Sequence, residues 1–314
     1  MFYIGIDTSC YTTSMACVGS DGVVCDLRIP LSVRLGDRGL RQSEGLFQHV
    51  KNIPVLAAEL FALIDDRACV AGVAYSARPC AEDDSYMPVF LAGKAAAASI
   101  ASSLGVECME TSHQQGHIRA GLFDMPPAES AFLAMHISGG TTDVLLCDAE
   151  LNVQRIGRST DLHAGQLVDR VGVALGLSFP SGERLENLAS AYSGDVRRIP
   201  SAVAGADCSL SGAESALMRL IASGEPHESV AFAVYDLLAR TFTKQLLAAA
   251  EDSKQSGALI FGGVASSGLL RRLMRERLHK RGVRFDLTFA RRELSRDNAV
   301  GVALICRDSL GGDC

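Results

Sequence analysis

This 314-residue sequence predicts an α/β protein made of two similar lobes, on three observations. The chain opens with three apolar, β-rich runs separated by tight turns. The same strand–turn–strand–turn–strand order returns from Phe132. Between and after these runs the hydrophobic spacing is mostly helical, as layers of helix on sheet require.

The first strand is Phe2 to Asp7. Ser14 to Val18 is a second apolar run, and the Ser20-Asp21-Gly22 turn leads into Val23 to Leu27. From about Ser43, Leu46, Val50, Ile53 and Leu60 share one face, predicting a helix with Pro54 as a site for a bend. Val70 to Tyr75 predicts a short buried strand, Pro88 to Leu104 an Ala-rich helix and Val106 to Met109 another strand. In the second half, Phe132 to Ile137, Thr142 to Cys147 and Val153 to Ile156 read as strands, with a Ser138-Gly139-Gly140 turn after the first. Helices follow at about Gln166 to Leu175, Gly182 to Ala191, Ser211 to Ala222 and Ser229 to Ala250. Ser209-Leu210-Ser211-Gly212 offers an N-cap for the third of these. Strand Ala258 to Phe261, a Gly-Gly turn, a helix to about Lys280 and a last helix from Asn298 to Ser309 complete the chain.

The halves align without gaps, Tyr11 to Val18 lying over Gly140 to Cys147. The identity is slight, but a repeated strand–Gly/Thr turn–strand unit is what a duplicated two-lobe ATPase shows. The sequence therefore predicts the actin/hexokinase-like (ASKHA) fold with a central cleft. Residues 1–125 form the first lobe, 297–314 pack back on it, and 126–296 form the second. No Pro-rich or low-complexity linker separates the lobes, so they are expected to share the cleft rather than swing on a tether.

About half of the residues are hydrophobic and a fifth charged, a globular composition. No apolar run is long enough to span a bilayer, and Met1 to Asp7 reads as a strand rather than a signal peptide. A cytosolic protein is expected. The ten cysteines lack Cys-x-x-Cys or framework spacing and are read as reduced thiols. Cys17, Cys69, Cys147 and Cys306 sit in apolar runs as small core residues. The net charge of −6 argues against a general nucleic-acid coat protein. One basic run, from Arg271 through Arg272, Arg275, Arg277, Lys280 and Arg281 to Arg284, has helical spacing and reads first as a solvated face.

His113-x-x-x-His117 is the first chemical motif. Residues four apart on a helix share a face, with Cβ atoms about 5–6 Å apart. Two imidazoles so placed can hold a Zn²⁺ or Fe ion, and Ser112 can cap the helix. The same spacing also suits two surface or interface histidines. Gln114 stands where a zinc protease carries its general-base Glu, which counts against proteolysis. Asp297, just before the last helix, is the candidate third ligand or, equally, an N-cap.

Glycine-turn loops are the second motif. Ser138-Gly139-Gly140-Thr141-Thr142 lies between two strands, where backbone N–H groups and hydroxyls can approach phosphate oxygens. Asp7-Thr8-Ser9 ends the first strand in the matching place. Gly262-Gly263-Val264-Ala265-Ser266-Ser267 follows a strand and opens a helix, where an adenine or ribose can pack. Walker and Rossmann patterns are absent. Asp169, in a helical stretch with Gly165, Val168 and Val171, can accept hydrogen bonds from a ribose or pair with Arg170 or Arg158. Pro180-Ser181-Gly182 is a turn able to bring backbone close to a ligand.

Together these positions resemble the TsaD family, the tRNA threonylcarbamoyladenosine synthases once described as glycoproteases. The resemblance covers nearly the whole chain. Gly5-Ile6-Asp7-Thr8-Ser9-Cys10 is similar to the family's Gly-Ile-Glu-Thr-Ser-Cys, and Ser112 to His117 to its metal helix. Ser138-Gly139-Gly140 resembles its phosphate loop. Gly165 to Asp169, Leu175 to Leu177 and Pro180 to Gly182 resemble its ribose-binding stretch. Ser209 to Gly212 resembles its Ser-Phe-Ser-Gly, and Gly262-Gly263-Val264 and Asp297-Asn298-Ala299 its last motifs. The resemblance implies transfer of a threonylcarbamoyl group from threonylcarbamoyl-adenylate to N6 of an adenosine beside the tRNA anticodon. It implies a divalent metal, Fe or Zn, on His113, His117 and Asp297. It implies an adenylate or ATP-type nucleotide on His136, Ile137, Ser138, Gly139, Gly140, Asp169 and Gly182, with Ser267 in place of a family Asn. Small TsaB- and TsaE-like partner proteins, tRNA as substrate and no membrane are implied as well.

The chain departs from the pattern at Tyr11-Thr12, where the family has Asp-Glu, at Thr141 for His, and at Ser267 for Asn. Arg78-Pro79-Cys80 replaces Gly-Pro-Gly, and Ala213-Glu214 displaces a Lys. The alternative is therefore a nucleotide- and metal-binding paralogue with a regulatory or scaffold role.

Overall fold

A computed structural model describes residues 1–9, 11–32, 40–64, 66–80, 85–125 and 129–311. Cys10 of the opening motif and the expected lobe boundary at residue 126 lie outside the described residues. The chain divides into two compact units, Met1–Pro127 with Arg296–Cys314, and Ala128–Ser295.

The first unit is built on β1 (Phe2–Ser9), β2 (Thr12–Gly19), β3 (Gly22–Pro30), α1 (Gln42–Ala62), β4 (Val70–Arg78), α2 (Phe90–Leu104), β5 (Glu107–Ser112) and α3 (His113–Gly121). The second holds β6 (Phe132–Ile137), β7 (Thr142–Cys147), β8 (Val153–Arg158), α4 (Ala164–Ala174), α5 (Gly182–Ser190) and the short hairpin β9 (Ala202–Ala204) and β10 (Asp207–Ser209). It continues through α6 (Ser211–Ala222), α7 (His227–Ser253), β11 (Gly257–Phe261), α8 (Gly268–Lys280) and β12 (Asp286–Phe289). The last helix, α9 (Val300–Leu310), belongs to the first unit.

The two sheets share one topology. In the first, β1 pairs antiparallel with β2, and β2 antiparallel with β3; β1 pairs parallel with β4, and β4 parallel with β5. In the second, β6 takes the place of β1 in an order running β8-β7-β6-β11-β12, with the same directions. The gapless alignment carries Asp7 onto His136 and Ser14 onto Asp143. Both pairs sit opposite each other in their hairpins, Asp7 across from Ser14 and His136 across from Asp143. This is the α/β architecture of a duplicated two-lobe fold, as predicted.

β1 is buried along nearly its whole length because helices cover both of its faces. Successive side chains on a strand point to opposite faces. Accordingly Ile6 meets α2 at Gly93, while Gly5 meets the start of α9 at Ala299 and Ala303. The core of this unit gathers Ile4, Ile6, Met15, Val73, Leu56 and Leu60. The core of the second unit forms separately around Leu133, Met135, Ile137, Leu238, Phe242 and Ile260.

Several expectations are corrected. Helix α1 runs from Gln42 to Ala62 with Pro54 inside it, and its buried face is Gly45, His49, Leu56 and Leu60, whereas Val50 of the expected face is exposed. Strand β5 starts at Glu107 and ends at Ser112, with only its last two residues buried. The β9–β10 hairpin and β12, three or four residues per strand, are too short to stand out by pattern. The serines of Ser209-Leu210-Ser211 do not cap α6. Their hydroxyls donate to Asp161 Oδ2, at 2.6 Å from Ser209 and 2.5 Å from Ser211, while Leu210 N–H donates to Asp161 Oδ1 at 2.8 Å. Cys17, Cys147 and Cys306 are buried free thiols, pushed up to about 12 by burial. Cys69 is only half-buried, its Sγ 3.6 Å from Asp66 Oδ2, because it lies in a 3-10 turn rather than in the core. Among the described residues no helix is long and apolar enough to cross a membrane.

Candidate metal centre and phosphate loop

Strand β5 passes into α3 without an intervening residue, so His113 opens the helix at the end of the sheet. Ser112 sets the start: its Oγ accepts the Gln115 N–H at 3.2 Å, and Gln115 Oε1 accepts the Ser112 N–H at 2.9 Å. This reciprocal capping box fixes the first turn. His117 follows one turn later on the same face.

Asp297 comes to these histidines through α9. A Cβ on Gly301 would stand 1.8 Å from the Gly116 carbonyl oxygen, so α9 and α3 touch backbone to backbone there. Only glycine permits that approach. The buried Arg119 of α3 adds a tie, its Nε 2.5 Å from Asp308 Oδ2 of α9. Asp297 is not a helix cap: α9 begins at Val300, and Asn298 Oδ1 accepts the Val300 N–H at 3.0 Å.

The three side chains converge. His113 Nε2 lies 3.1 Å from His117 Nε2, and Asp297 Oδ1 lies 3.7 Å from the first and 3.4 Å from the second. One ligand atom from each residue falls within 4.8 Å of the others, a grouping that can hold a metal ion. Two imidazoles and one carboxylate suit Zn²⁺ or Fe²⁺ and leave positions for exchangeable ligands.

The sequence places Asp7 at the end of the first strand and in the opening Gly5-to-Cys10 motif, with no role at the metal group. In the fold it is fully buried on β1, with its Oδ1 3.0 Å from His113 Nδ1 and its Oδ2 accepting the Ser9 N–H at 3.3 Å. Burial by itself would lower the His113 value, but the charges of Asp7 and Asp297 outweigh it and raise it to about 9. Burial likewise opposes ionisation of both carboxylates, and the histidines beside them hold each below the usual carboxylate range. An apolar, β-rich strand ending in Asp was visible in sequence; its approach to residue 113 was not.

In the second unit, Ser138-Gly139-Gly140 forms the tip of the β6–β7 hairpin. Ser138 N–H donates to Thr141 O at 2.8 Å, and Gly165 N–H donates to Ser138 O at 3.1 Å. The start of α4 lies so close that a Cβ on Gly165 would be 2.6 Å from Gly139 Cα. Gly139 and Gly140 are exposed. His136 precedes the loop and stacks on Phe261, ring centroids 4.7 Å apart, and Ile137 is buried. Asp169 on α4 accepts the Ser181 N–H at 2.7 Å, and burial raises its value against that bond. It does not depend on Arg170, which pairs with Glu214 at 3.1 Å. Gly182 opens α5, its carbonyl accepting the Tyr235 hydroxyl at 3.0 Å. Ser267 is buried and its Oγ caps α8 by accepting the Leu270 N–H at 3.2 Å. Glu186 Oε1 accepts the preceding amide, Leu269 N–H, at 2.9 Å. That helix start is thus supplied from within the protein.

The basic run on α8 is only in part a solvated face. Arg271 and Arg275 lie over the Phe289 ring at 5.0 and 4.8 Å, and Arg277 pairs with Asp236.

The repeated sheet and the His–His–Asp group define a protein of the actin/hexokinase-like ATPase fold with a candidate metal centre. Solved structures agree on the fold. HypF from T.kodakarensis superposes with a TM-score of 0.61 at 15% identity, covering 98% of this chain and 48% of its own. A ROK family glucokinase from Streptomyces griseus, solved with glucose and AMPPNP, gives 0.56 at 12% identity, covering 98% and 100%. A family model for TsaD, tRNA N6-adenosine threonylcarbamoyltransferase, matches residues 46–304. A tRNA N6-adenosine threonylcarbamoyltransferase from Symbiobacterium thermophilum is 28% identical over 312 residues, covering 96% of this chain and 89% of the relative. The chain belongs to the TsaD family of tRNA N6-adenosine threonylcarbamoyltransferases.

Proposed function

We propose that this protein transfers a threonylcarbamoyl group from threonylcarbamoyl-adenylate to the N6 amine of an adenosine beside the anticodon of tRNA. The N6 nitrogen bonds to the carbamoyl carbon, the bond from that carbon to the phosphate oxygen breaks, AMP leaves, and one N6 proton is lost. The observation that carries this reading is the convergence of His113, His117 and Asp297 in a chain of this family.

His113, His117 and Asp297 hold one divalent ion, Fe or Zn. When bound, that ion supplies Lewis-acid polarisation of an oxygen on the acyl donor. The chain's own groups do the rest. In the second unit, the open Gly139-Gly140 backbone donates to phosphate oxygens, with Ser138 N–H holding the turn on Thr141 O and His136 and Ile137 as the strand that carries it. Asp169 and Gly182, joined through Ser181, receive the ribose. Ser267 stands at the family's Asn position, and its Oγ accepts the Leu270 N–H as the α8 cap, so it helps shape the helix start. Small partner proteins of the TsaB and TsaE kind assist, and the protein works in the cytoplasm.

The test is product formation. Purified protein is incubated with threonylcarbamoyl-adenylate, an unmodified tRNA and the partner proteins, and the digested tRNA is searched by mass for N6-threonylcarbamoyladenosine. Product is expected, and it should vanish in His113→Ala. Adenylate binding without product would overturn the transferase reading.

A further inference from the structure

We propose that Asp7 is a positioning residue for the metal centre: its buried carboxylate holds Nδ1 of His113 and thereby turns Nε2 of that ring toward His117 and Asp297. This rests on reading the triad as a metal site.

A neutral imidazole carries one donor and one acceptor nitrogen, and a metal needs the acceptor. Asp7 Oδ1 stands 3.0 Å from His113 Nδ1. A carboxylate can only accept, so Nδ1 bears a hydrogen, and in the neutral ring that a metal binds the lone pair falls on Nε2. That second nitrogen is the one lying 3.1 Å from His117 Nε2 and 3.7 Å from Asp297 Oδ1. Tautomer and ring orientation therefore follow from a single contact.

The holder is itself held. Asp7 lies on β1, flanked by β2 and β4, with no solvent exposure. Its Oδ2 accepts the Ser9 N–H at 3.3 Å, and its carbonyl accepts the Ser14 hydroxyl at 3.3 Å. The ligand group His113, His117 and Asp297 forms without Asp7, so its carboxylate acts through His113 rather than as a ligand. Partners of this kind behind a metal-bound histidine typically change metal affinity by about 10–100-fold when removed.

The experiment titrates the metal-stripped full chain with Co²⁺, read by its visible absorption and by competition with a chelator. Asp7→Asn keeps an acceptor oxygen but not the charge, and about tenfold weaker binding is expected. Asp7→Ala is expected to lose nearer a hundredfold and to shift the Co²⁺ spectrum. In a His113→Ala background, Asp7→Ala should cost little further, because its effect passes through that ring; a merely structural role would cost the same in both backgrounds. If Asp7→Ala does not fold, as judged by circular dichroism, Asp7→Asn decides alone. Wild-type affinity in a folded Asp7 variant, or additive losses with His113→Ala, would overturn the proposal. Failure of the unaltered protein to bind Co²⁺ would instead overturn the metal reading beneath it.

Discussion

The Nδ1 atom of His113 and the Oδ1 atom of Asp7, 106 positions apart in sequence, lie 3.0 Å apart in the fold. The contact joins the first strand to the helix that carries both candidate imidazole ligands. Together with Asp297 it favours the protonated form of His113 before any ion arrives.

A pH dependence follows. His113 is raised to about 9 from an ordinary 6.5, so its protonated form favours the folded state of the metal-free protein. That stability is complete below about 6.5 and is lost as pH rises through about 9. Asp7 and Asp297 are lowered, so their contribution is present above the ordinary carboxylate value and lost on acidification. The urea midpoint of chelator-treated protein should therefore fall between pH 6.5 and 9.5, reflecting a loss of unfolding free energy on the order of 3 kcal/mol at most. A midpoint that stays level or rises over that interval contradicts the assignment. Metal binding should show the opposite trend and tighten with pH, since the ion displaces the proton.

Gly301→Ala probes the α3–α9 contact. The new methyl group would meet the Gly116 carbonyl at 1.8 Å, and both neighbours are helix backbone that cannot rotate away. A loss of about 2–3 kcal/mol is expected, with weaker Co²⁺ binding because Asp297 shifts with α9. Chemical denaturation and the Co²⁺ titration check both parts.

Much of this architecture was legible in the sequence, and the reasons differ by element. Strands Phe132–Ile137 and Thr142–Cys147 were found to the residue because buried strands demand mostly apolar runs and the Ser138-Gly139-Gly140 turn marks their ends. The His-x-x-x-His pair was legible because helical spacing alone puts both rings on one side. Asp297 was named beside them as a third ligand or a cap, and the fold decides for the ligand position; what brings it there was not legible, since that depends on how closely Gly301 lets one helix approach another. Asp161 escaped notice for a similar reason. Its role is to receive the Ser209 and Ser211 hydroxyls, and a carboxylate that serves a distant loop leaves no periodic mark. The same two serines read locally as a cap, which shows how tertiary partners override a local rule.

Asp236→Ala should be the more damaging change within the second unit. That buried carboxylate pairs with Arg240, Nε to Oδ2 at 2.9 Å, and with Arg277 of α8. Removing it leaves two guanidinium groups close together with no neutralising partner, a loss of about 3–5 kcal/mol. Thermal unfolding should show it, while Arg272→Ala, which breaks only the exposed pair with Glu276, should change stability by less than about 0.5 kcal/mol.

The most direct measurement is threonylcarbamoyl transfer before and after metal removal. The protein is stripped with a chelator, assayed by nucleoside mass with threonylcarbamoyl-adenylate, tRNA and partner proteins, then reloaded with Fe²⁺ or Zn²⁺. Loss of at least about tenfold on stripping, recovery on reloading, and no recovery in Asp297→Ala are the predicted results. Full activity in the stripped protein, or in Asp297→Ala, would contradict the account.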